Sequence, residues 1–193
     1  MDMVDSLEFE NHHLREKLQE AKKKDNDKMR SDMKESARRS KQASAASNQM
    51  EQFSRKLNVK VLGLEENESP REKILKLVKE VTKINLDNRD IVAEHRIPGR
   101  QGQPRPVIVK FWSLDCKHPI IKKRKDFKQS KEIRLVEDVT KMNTDLINKL
   151  SRHHEIDSAW YFNGFVNGKT KSGKRIKFDI YDDIDEYKYH MNS

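Results

Sequence analysis

A single cysteine, Cys116, is all the thiol chemistry the chain holds. It cannot close an internal disulfide, so the sequence predicts a reducing compartment, cytoplasmic or nuclear and not secreted. Apolar residues are also scarce, at 34% of 193 positions, where a compact domain usually carries roughly 45–50% with glycine counted. The core must therefore be concentrated in part of the chain, the rest being extended helix or solvated segment. No run of about 18 apolar residues occurs, which excludes a transmembrane helix. The first residues, Met1-Asp2-Met3-Val4-Asp5, are acidic and lack an apolar h-region, so no secretory signal is expected. Neither glycine nor proline appears before Gly63.

Charge is what the chain has in excess: 41 Lys and Arg against 32 Asp and Glu, a net +9. Its placement is uneven. Residues 1–55 hold 12 basic and 11 acidic side chains, residues 56–137 hold 20 and 12, and residues 138–193 hold 9 and 9. The stretch Arg96–Arg134 alone has 12 basic residues against Asp115, Asp126 and Glu132, and so equals the whole net charge. Such an excess attracts phosphate polymers or anionic lipid.

The first third is a helix-former tract. Val4, Leu7, Asn11, Leu14, Leu18 and Ala21 recur at alternating spacings of three and four, the a/d pattern of a coiled coil. Asn11 falls at an a position, where a buried amide fixes register and strand number. Ala43, Ala46, Met50, Phe53 and Leu57 form a second apolar set. Residues 22–42 between them are nearly all polar and predict a weakly packed or frayed centre.

At Leu57 the period changes to alternation. Leu57, Val59 and Val61 predict a half-buried strand closed by Gly63. Ser69-Pro70-Arg71-Glu72 opens a helix with Ser69 as N-cap and Pro70 at its first position; Ile74, Leu77, Val78, Val81 and Ile84 are its stripe. Strands follow at 91–97 and 106–112, separated by the breaker cluster Pro98–Pro104. A helix capped by Ser113 is expected through Phe127, with Pro119 in its first turns, and then a strand over 131–136. The order over 56–137 is thus β-α-β-β-α-β, the ferredoxin-like arrangement. Beyond it, residues 140–156 predict a helix. Short strands follow at 159–162, 165–166 and 175–180, punctuated by Asn163-Gly164, Asn167-Gly168 and Ser172-Gly173. An acidic helix from Asp182 to about Tyr189 is expected last. The predicted class is α+β, with domains at 1–55 (coiled-coil oligomerisation helix, weak centre 22–42), 56–137 (RNA-recognition-like) and 138–193 (small α+β).

Catalytic signals are thin. Gly164-Phe165-Val166-Asn167-Gly168-Lys169-Thr170 has three residues between its glycines where a phosphate loop needs four, and no helical pattern follows. His12-His13, His153-His154 and Cys116-Lys117-His118 lack the paired four-ligand spacing of a structural zinc site. No Ser/His/Asp or Cys/His set suggests a nucleophile. The sequence predicts no enzyme, no cofactor, no metal and no small-molecule substrate.

The basic constellation is the positive signal. Arg96, Arg100 and Arg105 bracket the Gly/Pro-rich loop, and Lys110 lies on the next strand. Lys117, Lys122, Lys123, Arg124, Lys125 and Lys128 crowd the second helix, and Lys131 and Arg134 follow. Guanidinium groups bind phosphate bidentately and stack on bases, and ammonium groups add salt-dependent attraction. Trp112, Phe111 and His95 are candidate stacking surfaces. A second basic group, including Lys169, Lys171, Lys174, Arg175 and Lys177, precedes five acids, Asp179, Asp182, Asp183, Asp185 and Glu186.

Together, the coil running into Arg55–Leu64, Ala93-Glu94-His95-Arg96-Ile97-Pro98, Pro104–Phe111 and Ile133–Thr140 resemble, over residues 40–190, a known family. It is the RNA-binding protein of the first open reading frame of LINE-type retrotransposons. They resemble as well the related C-terminal domain of the baculovirus few-polyhedra protein and transposon-derived invertebrate genes. The resemblance implies a coiled-coil homo-oligomer, trimer or dimer, and an RNA-recognition domain that clamps single strands together with a small C-terminal domain. It implies nucleic-acid contacts at Arg105 and Arg124. The family also has a basic residue on the helix after the fourth strand. Here Ile147 or Asn148 stands in that register, and Lys149 and Arg152 are nearest.

The expected function is non-enzymatic binding of single-stranded RNA or DNA by a transposon-derived homo-oligomer, with nucleic-acid chaperone activity a further expectation. Expected partners are the strand and the chain itself, with no membrane. The alternative is a coiled-coil scaffold whose C-terminal domains bind another protein.

Overall fold

A computed structural model describes residues 3–67, 69–162 and 164–182. The chain divides into two compact units, residues 1–47 and 48–193. The first is helix alone, part of α1 (Met3–Ser54). Residues 22–42, expected to be weakly packed or frayed, are helical throughout with nearly all their side chains exposed. Their Lys, Glu, Gln, Ala and Met side chains lose little rotamer freedom in a helix. Glu35 also accepts from Arg38 and Arg39 at 2.7 and 2.8 Å. Leu7, Leu14 and Leu18 are each more than half exposed, and Asn11 donates its amide to the Leu7 carbonyl at 3.1 Å. Val4 is in the helix, its side chain outside those described. Leu57 lies in the turn beyond the helix end and does not extend the second stripe.

The second unit is α+β and has two sheets. The first is built from β1 (Asn58–Leu62), β2 (Ile91–Arg96), β3 (Val107–Phe111) and β4 (Arg134–Glu137), in the order β2-β3-β1-β4 and antiparallel at every pairing. Alternation puts Val59, Val61, Val107, Val109, Phe111 and Leu135 on one face. That face packs against Ile74, Leu77 and Val78 of α2 (Pro70–Thr82), Ile120 of α3 (Leu114–Lys122) and Phe127 of α4 (Arg124–Lys131). The helix expected to run unbroken to Phe127 is two helices that meet at Lys123 and end at Lys131. Ser113 caps α3 as expected, accepting from the Cys116 amide. Pro119 falls inside α3, where it has no amide to donate back to Asp115. Ser69 stands at the N-cap of α2 but makes no side-chain cap bond.

The second sheet follows α5 (Lys141–Ser151), which ends five residues short of expectation. Its strands β5 (Ile156–Phe162), β6 (Phe165–Thr170) and β7 (Arg175–Phe178) pair antiparallel in sequence order. Leu146 and Leu150 of α5 pack on Ile156, Val166 and Phe178. Asn167-Gly168 is not a turn: it is the middle of β6. A Cβ at Gly168 would come within 2.9 Å of the Phe178 ring, so glycine is there for close approach across strands. The acidic closing helix expected from Asp182 lies outside the described residues apart from Asp182 itself.

Buried polar side chains join the last turns of α1 to the start of α5. Asn48 donates to Asn143 Oδ1 at 3.1 Å and accepts from Thr140 Oγ1 at 2.7 Å. Gln52 accepts from the Thr140 amide and from Asn143, and donates to the Asp138 carbonyl. Asn48, Gln52, Thr140 and Asn143 are each less than a tenth exposed. Met50 and Phe53, on the other side of this helical segment, are 74% and 66% exposed.

Candidate nucleic-acid interface

The twelve basic residues of Arg96–Arg134 divide into those the fold uses and those it leaves to solvent. Arg96 is a staple: its guanidinium donates to the carbonyls of Leu64, Glu65 and Arg105 at 2.5–2.9 Å, holding the β2–β3 loop. Arg105 is held by Glu66, which accepts from its guanidinium at 2.9 Å and from its amide at 2.7 Å. The Arg105 hydrogen bonds push the Glu66 carboxyl down to about 2. Lys117 is buried, donating to the Lys56 carbonyl at 2.7 Å and to Glu137. Lys123 reaches the Thr82 carbonyl, and Lys131 pairs with Glu80.

The other seven, Arg100, Lys110, Lys122, Arg124, Lys125, Lys128 and Arg134, are exposed and have no ion pair among the described residues. They do not form one surface. Lys122, Arg124, Lys125 and Lys128 crowd the α3–α4 junction, where Phe127 faces the core and the chain turns at Lys123. Lys110 and Arg134 project from the side of the sheet away from α2, α3 and α4, opposite Asn58 and Leu62 on β1. Arg100 lies in the long loop.

Phe111 is no stacking surface: it is 2% exposed, since the alternation that exposes Lys110 turns its neighbour inward. Trp112, one residue on, is 70% exposed, and His95 is also exposed. Lys149 and Arg152 sit exposed at the C-terminal end of α5. Lys174 lies in the β6–β7 turn, and Arg175 is on β7.

Sequence reasoning missed a set of rings. Register pairs Phe162 with Phe165 and Trp160 with Asn167 and Lys177, and places Ser158 beside Lys169 and Arg175. Val166, Gly168 and Phe178 are buried and face α5, so the alternate residues, Phe165, Asn167 and Lys177 among them, face outward. Phe162 is 68% and Phe165 49% exposed. The Arg175 guanidinium lies 5.9 Å from the Trp160 ring centre and Lys177 Nζ 4.9 Å from that of Phe165. The signal was the alternation of residues 158–162 once β5 is extended back to Ile156.

No protein-family profile and no curated protein sequence matches this chain. Among the described residues no helix is long and apolar enough to cross a membrane.

Proposed function

We propose that the protein binds single-stranded nucleic acid without catalysing a reaction, and that copies assemble through α1. The observation that carries this reading is the set of seven unpaired, exposed cations within Arg100–Arg134, four of them at one helix junction. Unpaired cations release counterions from phosphate without first losing an internal partner. The sheet order β2-β3-β1-β4 with helices on one face supports a ferredoxin-like, RNA-recognition type of domain. It is the arrangement that the resemblance to the retrotransposon family implies. The exposed Leu7, Leu14, Leu18, Met50 and Phe53 favour a second copy as the partner of α1. The free-standing Arg100, Lys110, Arg124 and Arg134 serve phosphate. Arg105 serves it once strand displaces Glu66, and Arg96 acts by shaping the loop.

Titrating labelled oligo-U of increasing length at several salt concentrations tests both parts. A steep linear fall of log K with log salt is expected. Removing residues 1–47, which keeps Asn48 and Gln52, should leave affinity for short strands unchanged. It should cut affinity for strands of about 30–50 nucleotides by roughly 10²–10⁴-fold, the loss of avidity. A flat salt response would refute nucleic-acid binding, and parallel length curves for the two proteins would refute assembly.

A further inference from the structure

The outward face of the β5–β7 sheet combines two features that rarely share a small surface. It carries Trp160, Phe162 and Phe165, three of only thirteen Phe, Trp and Tyr side chains in the chain, beside the cations Lys169, Arg175 and Lys177. Phe162 and Phe165 are exposed and Trp160 is half-buried, a standing loss of apolar burial unless something covers them. Two-residue steps along a strand are about 6.6 Å, so the three cross-strand rows span on the order of 13 Å. Lys169 and Arg175 lie beside Ser158 in the first row, Trp160, Asn167 and Lys177 share the second, and Phe162 and Phe165 form the third.

We propose that this face is a stacking platform for two or three unpaired bases of a single strand, with Lys169, Arg175 and Lys177 meeting the phosphates. The inference rests on the nucleic-acid reading above and names a second site for it. Every base has a π-face, so aromatic side chains bind single strands with little regard to sequence, and a cation beside each ring holds the backbone. Among the described residues, Asp157 is the one carboxylate within ion-pair distance of these three cations. Asp179 accepts from the Ile180 amide and Asp182 from the Asp179 amide, each at 2.6 Å, in the turn after β7. Asp157 lies 3.7 Å from Lys169 with both side chains about half exposed, a pair that salt and phosphate readily displace. Charge favours an anionic occupant and the rings favour a planar one.

The chain has two tryptophans, so Trp112→Phe leaves Trp160 as the only indole. In that full-length background a 12-mer oligo-U should quench Trp160 emission, and a duplex of equal length should not. The double change Phe162→Ala with Phe165→Ala should weaken oligo-U binding by about 5- to 100-fold, the loss of one or two stacked bases. The salt slope should not change, because no cation is removed. Circular dichroism checks folding; if the alanine pair unfolds, Phe162→Leu with Phe165→Leu keeps the apolar bulk and decides the question. Salt-dependent binding with no quench and no loss in these variants would refute the platform and leave the proposed function standing. Absence of any nucleic-acid binding would refute both. A blue shift of Trp160 with phosphatidylserine vesicles and no response to oligo-U would assign the face to lipid and overturn the proposal.

Discussion

In the four-stranded sheet the solvent side carries Lys60, Lys110 and Arg134 with one ring among the described residues, His95, whereas the three-stranded sheet sets three rings beside three cations. The first belongs to the segment with the charge excess. The second belongs to residues 138–193, whose charges cancel. Net charge therefore points to one lobe and side-chain geometry to the other. A segment can be neutral overall and still present a cationic face: Lys169, Arg175 and Lys177 alternate along β6 and β7, whereas Asp145 lies on α5 and Asp179 and Asp182 in the turn after β7.

The comparison is broken hardest by removing charge from the first lobe alone. Changing Lys122, Arg124, Lys125 and Lys128 together to Gln should make the single-strand salt slope shallower by about 3, at about 0.7 per phosphate contact. Affinity at low salt should fall on the order of 100-fold by the same relation, and quenching of Trp160 at saturation should persist. Loss of that quench would mean that the two faces are not separate sites.

A middle-sized effect tests the joint between α1 and α5, the helix of the second lobe. Asn48→Ala leaves the buried Thr140 hydroxyl and the Asn143 carbonyl oxygen each short of one partner. Orphaning buried polar groups costs about 1–3 kcal/mol, which thermal unfolding would read as a clear drop in Tm. An unchanged Tm would show that water replaces the amide without loss.

The smallest effect concerns Arg105. Glu66→Gln removes the carboxylate that competes with phosphate, so oligo-U affinity should rise a few-fold, whereas Arg105→Ala should lower it. Glu66 has a folded pKa of about 2 against its ordinary 4.5. The pair's contribution is therefore complete above pH 4.5 and lost only as pH falls through about 2. The gain in Glu66→Gln should be constant between pH 5 and 8. A gain that disappears at pH 5 would place another titrating group at Arg105.

Patterns local in sequence were legible, and those that depend on distant partners were not. Leu57, Val59 and Val61 announce β1, Ser113 announces its cap, and the run Val107–Phe111 announces β3, because period and capping are set within a few residues. Asn48 and Gln52 carry no local signal of burial, because their partners lie 86–95 positions away. Arg96 and Lys117 read as free cations for the same reason, since the carbonyls they bind come from the turn before β1, the segment after it and the β2–β3 loop. Asn167-Gly168 carried the strongest hairpin signal available. Its glycine answers instead to Phe178, ten residues on, and no local rule contains that ring. Of the candidate site, the helical cations Lys122, Arg124, Lys125 and Lys128, expected at the second helix, lie exposed at the α3–α4 junction. The aromatic face was missed because β5 was begun three residues late, which hides the alternation of Ser158, Trp160 and Phe162.

The contact of Asn48 with Asn143 spans 95 residues, and β1 and β4, the first and last strands of the sheet between them, are hydrogen-bonded neighbours. The whole four-stranded domain is therefore an insert whose two ends meet at one point. Closing so long a loop costs entropy that grows as about (3/2)RT ln n, so the clasp forms after the sheet has already brought its own ends together. Insertions in the Pro98–Pro104 loop should leave the joint between α1 and α5 where it is. New sequence can accumulate on this domain without disturbing the helix that precedes it or the sheet that follows.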